Sequence, residues 1–250
     1  RVRRRTGGEV VPATDCVVEC ASVAPKGNEK YVALTFDEGP SGATKQILQV
    51  LKEKGVTATF FLSGDAAEAS PATAKAIVDA GCEVGSNSYS DESLKGKDRD
   101  AVREQVSKGT EAIKSATGTS TMLLRAPYAA FDEQNWIDAM DLASAVVSWN
   151  IDSGDWLLNG ADEQVSTVLD SVTPGNIVLL TDSDECAEQT LVALPQIIDG
   201  LIADGYKIVT LSDLVKTDAS LSKKLNSLAK VTMPKNAVFP QLAEDDDTTD

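Results

Sequence analysis

Polar and charged side chains follow five short apolar runs of this chain. Asp37 and Glu38 come directly after residues 32–36, and Arg125 follows residues 122–124. The remaining polar ends are residues 86–91, 150–156 and 181–182. Carboxylates can take up protons or bind a cation, and an arginine can keep a neighbouring carboxylate ionised. The pattern predicts a polar pocket, although each segment taken singly also suits an ordinary turn.

The elements that must position these residues alternate between short β-rich runs and longer amphipathic segments. This alternation is typical of βα units and a parallel sheet, in which the carboxyl ends of the strands meet at one edge. The predicted strands are 32–36, 57–62, 82–85, 122–124, 144–149, 177–180 and 207–211. A barrel and an open doubly wound sheet share this local signal, so periodicity does not choose between them.

Helix boundaries are marked by capping residues and glycines. Ser70 and Pro71 predict the N-cap and first position of one helix. The predicted helical segments, each with the glycine that ends it, are 47–51 with Gly55, 72–80 with Gly81, 99–116 with Gly118, and 191–203 with Gly205. The sequence thus predicts an irregular N-terminal arm over 1–29, a barrel domain over 30–215, and a C-terminal extension with an acidic tail over 216–250.

Charge and cysteine content restrict the partners and the compartment. The 250 residues include 23 basic and 39 acidic side chains, a net charge of −16 that argues against nucleic acid as a partner. No apolar run reaches the length of a membrane span, and the chain gives no indication of an oligomeric state. The cysteines are either ordinary thiols or form one or two disulfides: Cys16, Cys20, Cys82 and Cys186.

Taken together, the polar ends resemble the motifs of the NodB-type polysaccharide deacetylases. Residues 35–40 (Thr-Phe-Asp-Glu-Gly-Pro) resemble the first motif and residues 85–91 the second. Residues 125–128, 152–156 and 177–182 match the third, fourth and fifth, in the family's order. The resemblance implies an α/β fold, a distorted (β/α) barrel of about seven parallel strands. It also implies an N-acetylated glycan of the peptidoglycan or chitin kind as partner, in an extracellular or cell-wall location.

The resemblance also implies roles for individual residues. Asp37 matches the catalytic base, Arg125 the residue that orients it, and Asp155 the carboxylate beside the catalytic acid. Thr181 stands at the position of that acid. The resemblance further implies that Tyr128, Trp156 and Leu180 are substrate-binding residues, and that the positions of the metal ligands are Glu38, Asn87 and Asp91.

The chain departs from the family because it contains no histidine. The family has an aspartate and two histidines where Glu38, Asn87 and Asp91 stand, and a histidine where Thr181 stands. An all-oxygen set disfavours zinc and suits calcium, magnesium, manganese or no metal, with no metal expected here. A threonine hydroxyl also cannot protonate a leaving amine at neutral pH as an imidazole does.

Three interpretations follow from these departures. The first is a catalytically degenerate domain that binds a glycan or a partner protein at the cell wall. The second is an active deacetylase with an oxygen-ligated metal, and the third is a structural module.

We expect the following residues to converge at one end of the barrel: Asp37, Asn87, Asp91, Arg125, Asp155 and Thr181. We further expect Arg125 to pair bidentately with Asp37, and Trp149 to be a core residue, whereas Tyr89, Tyr128 and Trp156 could stack on sugars or fill core.

Overall fold

One parallel sheet organises the protein. A computed structural model describes residues 18–20, 22–139, 141–225 and 230–233. Within these residues the strands are β1 (Val18–Cys20), β2 (Lys30–Asp37), β3 (Thr59–Leu62), β4 (Glu83–Ser86), β5 (Leu123–Leu124), β6 (Ala145–Val147), β7 (Ile151–Asp152), β8 (Asn176–Thr181), β9 (Tyr206–Ile208) and β10 (Lys230–Met233). They curl into a half-barrel, which confirms the predicted fold class.

The strand order brings the polar ends together. The sheet runs β1-β10-β6-β5-β4-β3-β2-β8-β7, and β9 pairs with the first residues of β2. Every pair is parallel, so the carboxyl ends of the strands lie at one edge. Asp37 at the end of β2 is the register partner of Thr181 at the end of β8. Register partners on neighbouring strands point to the same face, so these two side chains share one side of the sheet.

Helices cover the outer face of the sheet. In the described part of the chain they are α1 (Thr44–Lys54), α2 (Gly64–Ala69), α3 (Pro71–Asp79), α4 (Arg99–Thr117), α5 (Glu133–Ala139), α6 (Ala161–Ser171), α7 (Ala187–Ala203), α8 (Leu211–Lys216) and α9 (Ala219–Leu225). Two short 3-10 turns, Pro127–Ala129 and Asp155–Leu157, follow β5 and β7. α1 and α4 end at Gly55 and Gly118 in the left-handed conformation, as predicted.

Successive side chains of each strand point to opposite faces of the sheet, which divides the core into two layers. Val32, Leu34 and Phe36 of β2 pack between the sheet and the outer helices. Ala33 of the same strand packs inside the half-barrel, in a cluster that includes Trp149. Trp149 is 1% exposed, which confirms its prediction as a core residue. Both faces of the central strands are buried, as expected for a parallel sheet covered on both sides.

Several local predictions are corrected by the structure. The strand predicted over 207–211 ends at Ile208, and Leu211 instead begins α8, whose N-cap Thr210 accepts a hydrogen bond from the Asp213 amide. The Ser70 side chain makes no capping hydrogen bond, although Pro71 does begin α3. β7, α2 and α6 were not predicted, because their short or weakly apolar segments carry little periodicity.

The chain ends contribute strands that the sequence did not indicate. β1 lies within the predicted irregular arm and β10 within the predicted extension, and β10 pairs with both β1 and β6. Two segments so far apart in sequence pair through backbone hydrogen bonds, which leave no local pattern. The domain boundaries at residues 30 and 215 stay a prediction.

Two further expectations concern membranes and cysteines. None of the helices in the described ranges is long and apolar enough to cross a membrane. Cys82 is a buried free thiol, and burial raises its pKa. Cys186 is buried before α7, whereas Cys16 lies outside the described residues.

Candidate active site

A buried ion pair lies at the centre of the site. Nη1 of Arg125 is 2.8 Å from Oδ1 of Asp37, and the two side chains are 1% and 7% exposed. The predicted pairing is therefore confirmed. The predicted bidentate geometry is not observed, because the guanidinium distributes its donors. Nη1 also donates to the Thr35 hydroxyl at 2.7 Å, and Nε and Nη2 donate to the carbonyl oxygens of Val147 and Ser148.

The surroundings of Arg125 hold its planar group in one orientation. The guanidinium carbon lies 4.2 Å from the centroid of the Phe61 ring and 5.5 Å from that of Trp149. The Thr35 hydroxyl, which accepts from Arg125, donates onward to the Val178 carbonyl at 2.6 Å. Buried charges are tolerated when paired and fully hydrogen-bonded, so this arrangement fixes Asp37 as an oriented carboxylate.

Asn87 lies beside this pair. It follows β4, it is 3% exposed, and its Nδ2 donates to the backbone carbonyl of Arg125 at 2.8 Å. Its backbone amide donates to the Leu62 carbonyl at 2.8 Å. The Asn87 side chain therefore links the polar segment after β4 to the one after β5. Its amide nitrogen is engaged in this hydrogen bond.

The positions that match the family's metal ligands do not fit zinc. Glu38 is partly buried with φ 78°, a left-handed conformation uncommon for a residue with a side chain. Asp91 is also partly buried, in the loop after β4. Glu38, Asp91 and the remaining oxygen of Asn87 are all hard donors, whereas zinc prefers nitrogen and sulfur. Among the described residues, no three acidic or thiol side chains converge as a metal site.

Thr181 and Asp155 form a second buried polar contact. The Thr181 backbone amide donates to Oδ2 of Asp155 at 2.6 Å, and the Thr181 hydroxyl donates to Oδ1 at 2.9 Å. The Thr190 hydroxyl contributes a longer contact of 3.3 Å to Oδ2. Asp155 is fully buried in the 3-10 turn after β7. The side chain at position 181 thus serves as a donor to the carboxylate, with no group that can release a proton at neutral pH.

Asp182 is a site-adjacent residue that sequence reasoning gave no role. Its carboxylate accepts hydrogen bonds of 2.6 Å from the hydroxyls of Ser41 and Thr44. Its backbone amide donates to the Asp37 carbonyl at 2.8 Å. A Cβ at Gly39 would overlap Oδ2 of Asp182, so a side chain there would displace this carboxylate. Burial raises the pKa of the Asp182 carboxyl, against the opposing effect of the two hydroxyls.

The aromatic residues near the site differ in their freedom to contact a ligand. Trp156 is partly exposed, and its Nε1 donates to both oxygens of Asp152 at 3.1 and 3.2 Å, which orients the indole. Tyr128 is partly exposed and reaches the Asp91 carbonyl at 3.4 Å. Tyr89 donates to Glu68 at 2.8 Å, and the Lys108 ammonium lies 3.7 Å from its ring centroid. One face of Tyr89 is therefore covered by protein.

The predicted role of Leu180 is corrected by its placement. Its register partner is Phe36, and both are fully buried between the sheet and the outer helices. Successive residues of a strand point to opposite faces, so Leu180 points away from the face that carries Thr181. Leu179 shares the face of Thr181 and packs inside the half-barrel. The period-two alternation of β8 was the signal that could have distinguished the two leucines.

Comparison with known proteins agrees with this geometry. Residues 24–147 match the family model described as polysaccharide deacetylase. The chain is 34% identical to a peptidoglycan-N-acetylglucosamine deacetylase of Bacillus cereus, over 76% of this chain and 70% of that protein. The chain belongs to the polysaccharide deacetylase family, carbohydrate esterase family 4. It is also 36% identical to a bifunctional xylanase/deacetylase of Pseudobutyrivibrio xylanivorans, over 75% of the chain, and spans 31% of that protein's length.

Solved members of the family share the fold. A family 4 pseudoenzyme from Bacillus anthracis is 31% identical with a TM-score of 0.69, over 75% of this chain and 66% of that chain. A mutant of the same pseudoenzyme, described as having restored enzymatic activity, is 32% identical with a TM-score of 0.69, over 75% of this chain and 68% of that chain. The family therefore includes a chain that its description calls a pseudoenzyme.

Proposed function

We propose that this chain is a polysaccharide deacetylase-like domain that binds an N-acetylated glycan of the cell wall and does not catalyse the family's zinc-dependent deacetylation. The observation that carries the proposal is the Thr181–Asp155 contact. At the position matching the family's catalytic acid, a hydroxyl donates to Asp155 and offers no proton to a leaving amine.

Loss of the acid and loss of zinc affect different parts of the reaction. Without a general acid, departure of the amine slows by about 10²- to 10⁴-fold. Without a zinc-type ligand set, the acetyl carbonyl also lacks a strong Lewis acid, which is worth several kcal/mol. Asp37 remains a buried and oriented base, but it replaces neither contribution.

The retained features favour a binding role over a purely structural one. The Asp37–Arg125 pair is nearly inaccessible to solvent, and burying two charges carries a large desolvation cost. Trp156 keeps part of its indole exposed while Asp152 fixes its orientation. An oriented, partly exposed aromatic ring suits stacking against a sugar, because little conformational entropy is lost on binding.

The relatives support the class of ligand and the location. A relative named for its action on peptidoglycan N-acetylglucosamine suggests an N-acetylglucosamine-containing polymer, outside the cell or at the cell wall. The B. anthracis pseudoenzyme is a precedent for a family member without activity, and its restored mutant suggests that such a scaffold can be preserved.

The proposal is tested by three measurements on the purified chain: metal content, acetate release from N-acetylglucosamine oligomers, and affinity for the same oligomers and for peptidoglycan. We expect no zinc, no acetate release above the buffer rate, and measurable binding. Trp156→Ala should weaken binding at least about tenfold, a stacking contribution of about 1.4 kcal/mol. The matched control Met122→Ala changes an exposed residue just before β5, at the amino end of the sheet, and should leave binding unchanged.

Two outcomes would contradict the proposal. Acetate release that depends on added manganese or magnesium would instead support a deacetylase with an oxygen-ligated metal. Absence of binding to every oligomer and to peptidoglycan would remove the glycan-binding role.

A further inference from the structure

The loop formed by residues 87–91, here called the site loop, lies between two helices. On one side, the first amides of α2 hold its carbonyl oxygens. Gly64 donates to the Ser88 carbonyl at 3.0 Å, and Asp65 donates to the Tyr89 carbonyl at 2.9 Å. The backbone of the site loop is therefore tied directly to α2.

On the other side, one face of α4 supports the site loop. Oε1 of Gln105 accepts hydrogen bonds of 3.1 Å from both the amide and the hydroxyl of Ser90. Lys108 lies over the Tyr89 ring, one helical position before Gly109. Residues four apart on a helix share a face, so Gln105 and Gly109 present one continuous surface to the loop.

The backbone of Gly109 lies close against the site loop. A Cβ built on Gly109 would lie 2.5 Å from the Ser88 carbonyl carbon, 2.6 Å from its oxygen and 2.8 Å from the Tyr89 nitrogen. These are backbone atoms, which cannot rotate out of the way as a side chain can. Glycine weakens the interior of a helix, so its presence in the middle of α4 has a packing explanation in this close approach.

We propose that Gly109 is a positioning residue for the site loop. Its missing side chain allows Ser88 and Tyr89 to lie against α4, with Ser88 in the left-handed conformation at φ 64°. In that position Asn87, the first residue of the loop, reaches the Arg125 carbonyl beside the Asp37–Arg125 pair. A methyl group at position 109 pushes the loop backbone outward and displaces Asn87 and Asp91 from the site. The consequence for ligand binding rests on the proposed function, whereas the position of the loop does not.

The test compares Gly109→Ala with Gly200→Ala. Gly200 lies inside α7, where the three atoms nearest to a Cβ all belong to the Leu169 side chain, which can shift to make room. The control therefore makes the same change in a helix away from the site. Amide hydrogen exchange is followed at Gly64 and Asp65, whose hydrogen bonds report directly on the site loop, and in β8 as a global reference. Affinity for an N-acetylglucosamine tetramer is measured on the same samples.

We expect Gly109→Ala to accelerate exchange at Gly64 and Asp65 at least tenfold relative to β8, and to weaken tetramer binding at least tenfold. Gly200→Ala should leave the ratio of exchange rates and the affinity within twofold of the parent. A uniform acceleration throughout β8, or no acceleration at Gly64 and Asp65, would overturn the proposal, because either result gives Gly109 no specific influence on the loop.

The experiment still tests the role of Gly109 if the parent chain binds no glycan or if Gly109→Ala does not fold. If the parent chain does not bind the tetramer, the glycan proposal fails, while exchange at Gly64 and Asp65 still decides whether Gly109 positions the loop. If Gly109→Ala does not fold, Gln105→Ala removes the neighbouring support from the same face of α4 without a clash. That variant should accelerate exchange at Ser90 and weaken tetramer binding, and unchanged exchange at Ser90 would overturn the role of this face.

Discussion

The Thr181 hydroxyl donates to Oδ1 of Asp155 at 2.9 Å, and the Thr181 backbone amide donates to Oδ2 of the same carboxylate at 2.6 Å. Both carboxylate oxygens are therefore engaged by one residue on the neighbouring strand. The family resemblance puts a histidine, the catalytic acid, at this position. Threonine is shorter than histidine, and here its hydroxyl is directed at Asp155.

Restoring the family's side chains should restore zinc binding. The variant carrying Glu38→Asp, Asn87→His, Asp91→His and Thr181→His replaces an all-oxygen set with one carboxylate and two imidazoles. We expect zinc affinity, measured by competition with a chelator, to rise by at least about 100-fold, since changes even to groups supporting the ligands alter affinity by 10- to 100-fold.

The single variant Thr181→His is the matched control, because position 181 matches the acid and not a ligand. It should leave zinc affinity unchanged. The triple variant that retains Thr181 should bind zinc as the fourfold variant does but release acetate about 10²- to 10⁴-fold more slowly. A folded fourfold variant that binds zinc no better than the parent would show that the residue-by-residue correspondence with the family is wrong.

Removal of Arg125 should be strongly destabilising. Arg125→Met preserves much of the side-chain volume but leaves the buried Asp37 carboxylate without its cation. We expect a loss of about 3–5 kcal/mol in the free energy of unfolding, measured by urea denaturation. Lys75→Met removes an exposed ion pair with Asp79 and should have a much smaller effect. Equal losses of unfolding free energy in the two variants would show that the buried Arg125–Asp37 pair matters no more to stability than an exposed ion pair.

Asp182 should make stability fall as the pH rises. Burial raises its pKa in the folded protein above the ordinary value of 3.8, so the folded state binds its proton more tightly than the unfolded state. Where the folded state binds more protons, the free energy of unfolding decreases with increasing pH. The contribution of Asp182 is thus fully present below pH 3.8 and is lost as the pH rises through the folded-state pKa.

The variant Asp182→Asn isolates this contribution. It removes the titrating group, so the difference in unfolding free energy between parent and variant should vary with pH in the direction just described. Denaturation at several pH values above 3.8 measures that difference. A difference that does not depend on pH would contradict the predicted titration of Asp182.

Gln164 offers a site for stabilisation. It is 2% exposed in α6, and neither its amide nitrogen nor its amide oxygen has a hydrogen-bond partner among the described residues. An unsatisfied buried polar group costs about 1–3 kcal/mol, whereas an apolar side chain of similar size avoids that cost. Gln164→Leu should therefore raise the free energy of unfolding by about 1–2 kcal/mol. The neighbouring exposed change Glu163→Leu should not, and a destabilised Gln164→Leu would indicate an important polar interaction at this position.

Local sequence features predicted most of the framework that holds the site. The alternation of apolar runs and amphipathic segments is a property of short stretches. It located six of the seven predicted strands and the parallel class, whereas the seventh, over 207–211, coincides with β9 only at residues 207–208. The pairing of β10 with β1 and β6 was not predictable in this way, because it depends on backbone hydrogen bonds between distant segments. Weak apolar patterns likewise concealed α2 and α6.

The sequence by itself determined the family motifs, the absence of histidine and the Arg125–Asp37 pair, since each depends on residue identity and order. Only the tertiary structure decided that Leu180 points away from the site and that Asp182 holds Ser41 and Thr44. The sequence also shows a glycine at position 109, but only the structure shows that this glycine lies against the Ser88 backbone. The physical reason is that side-chain direction and close backbone contact arise from how strands and helices pack, and distant residues meet only after the chain has folded.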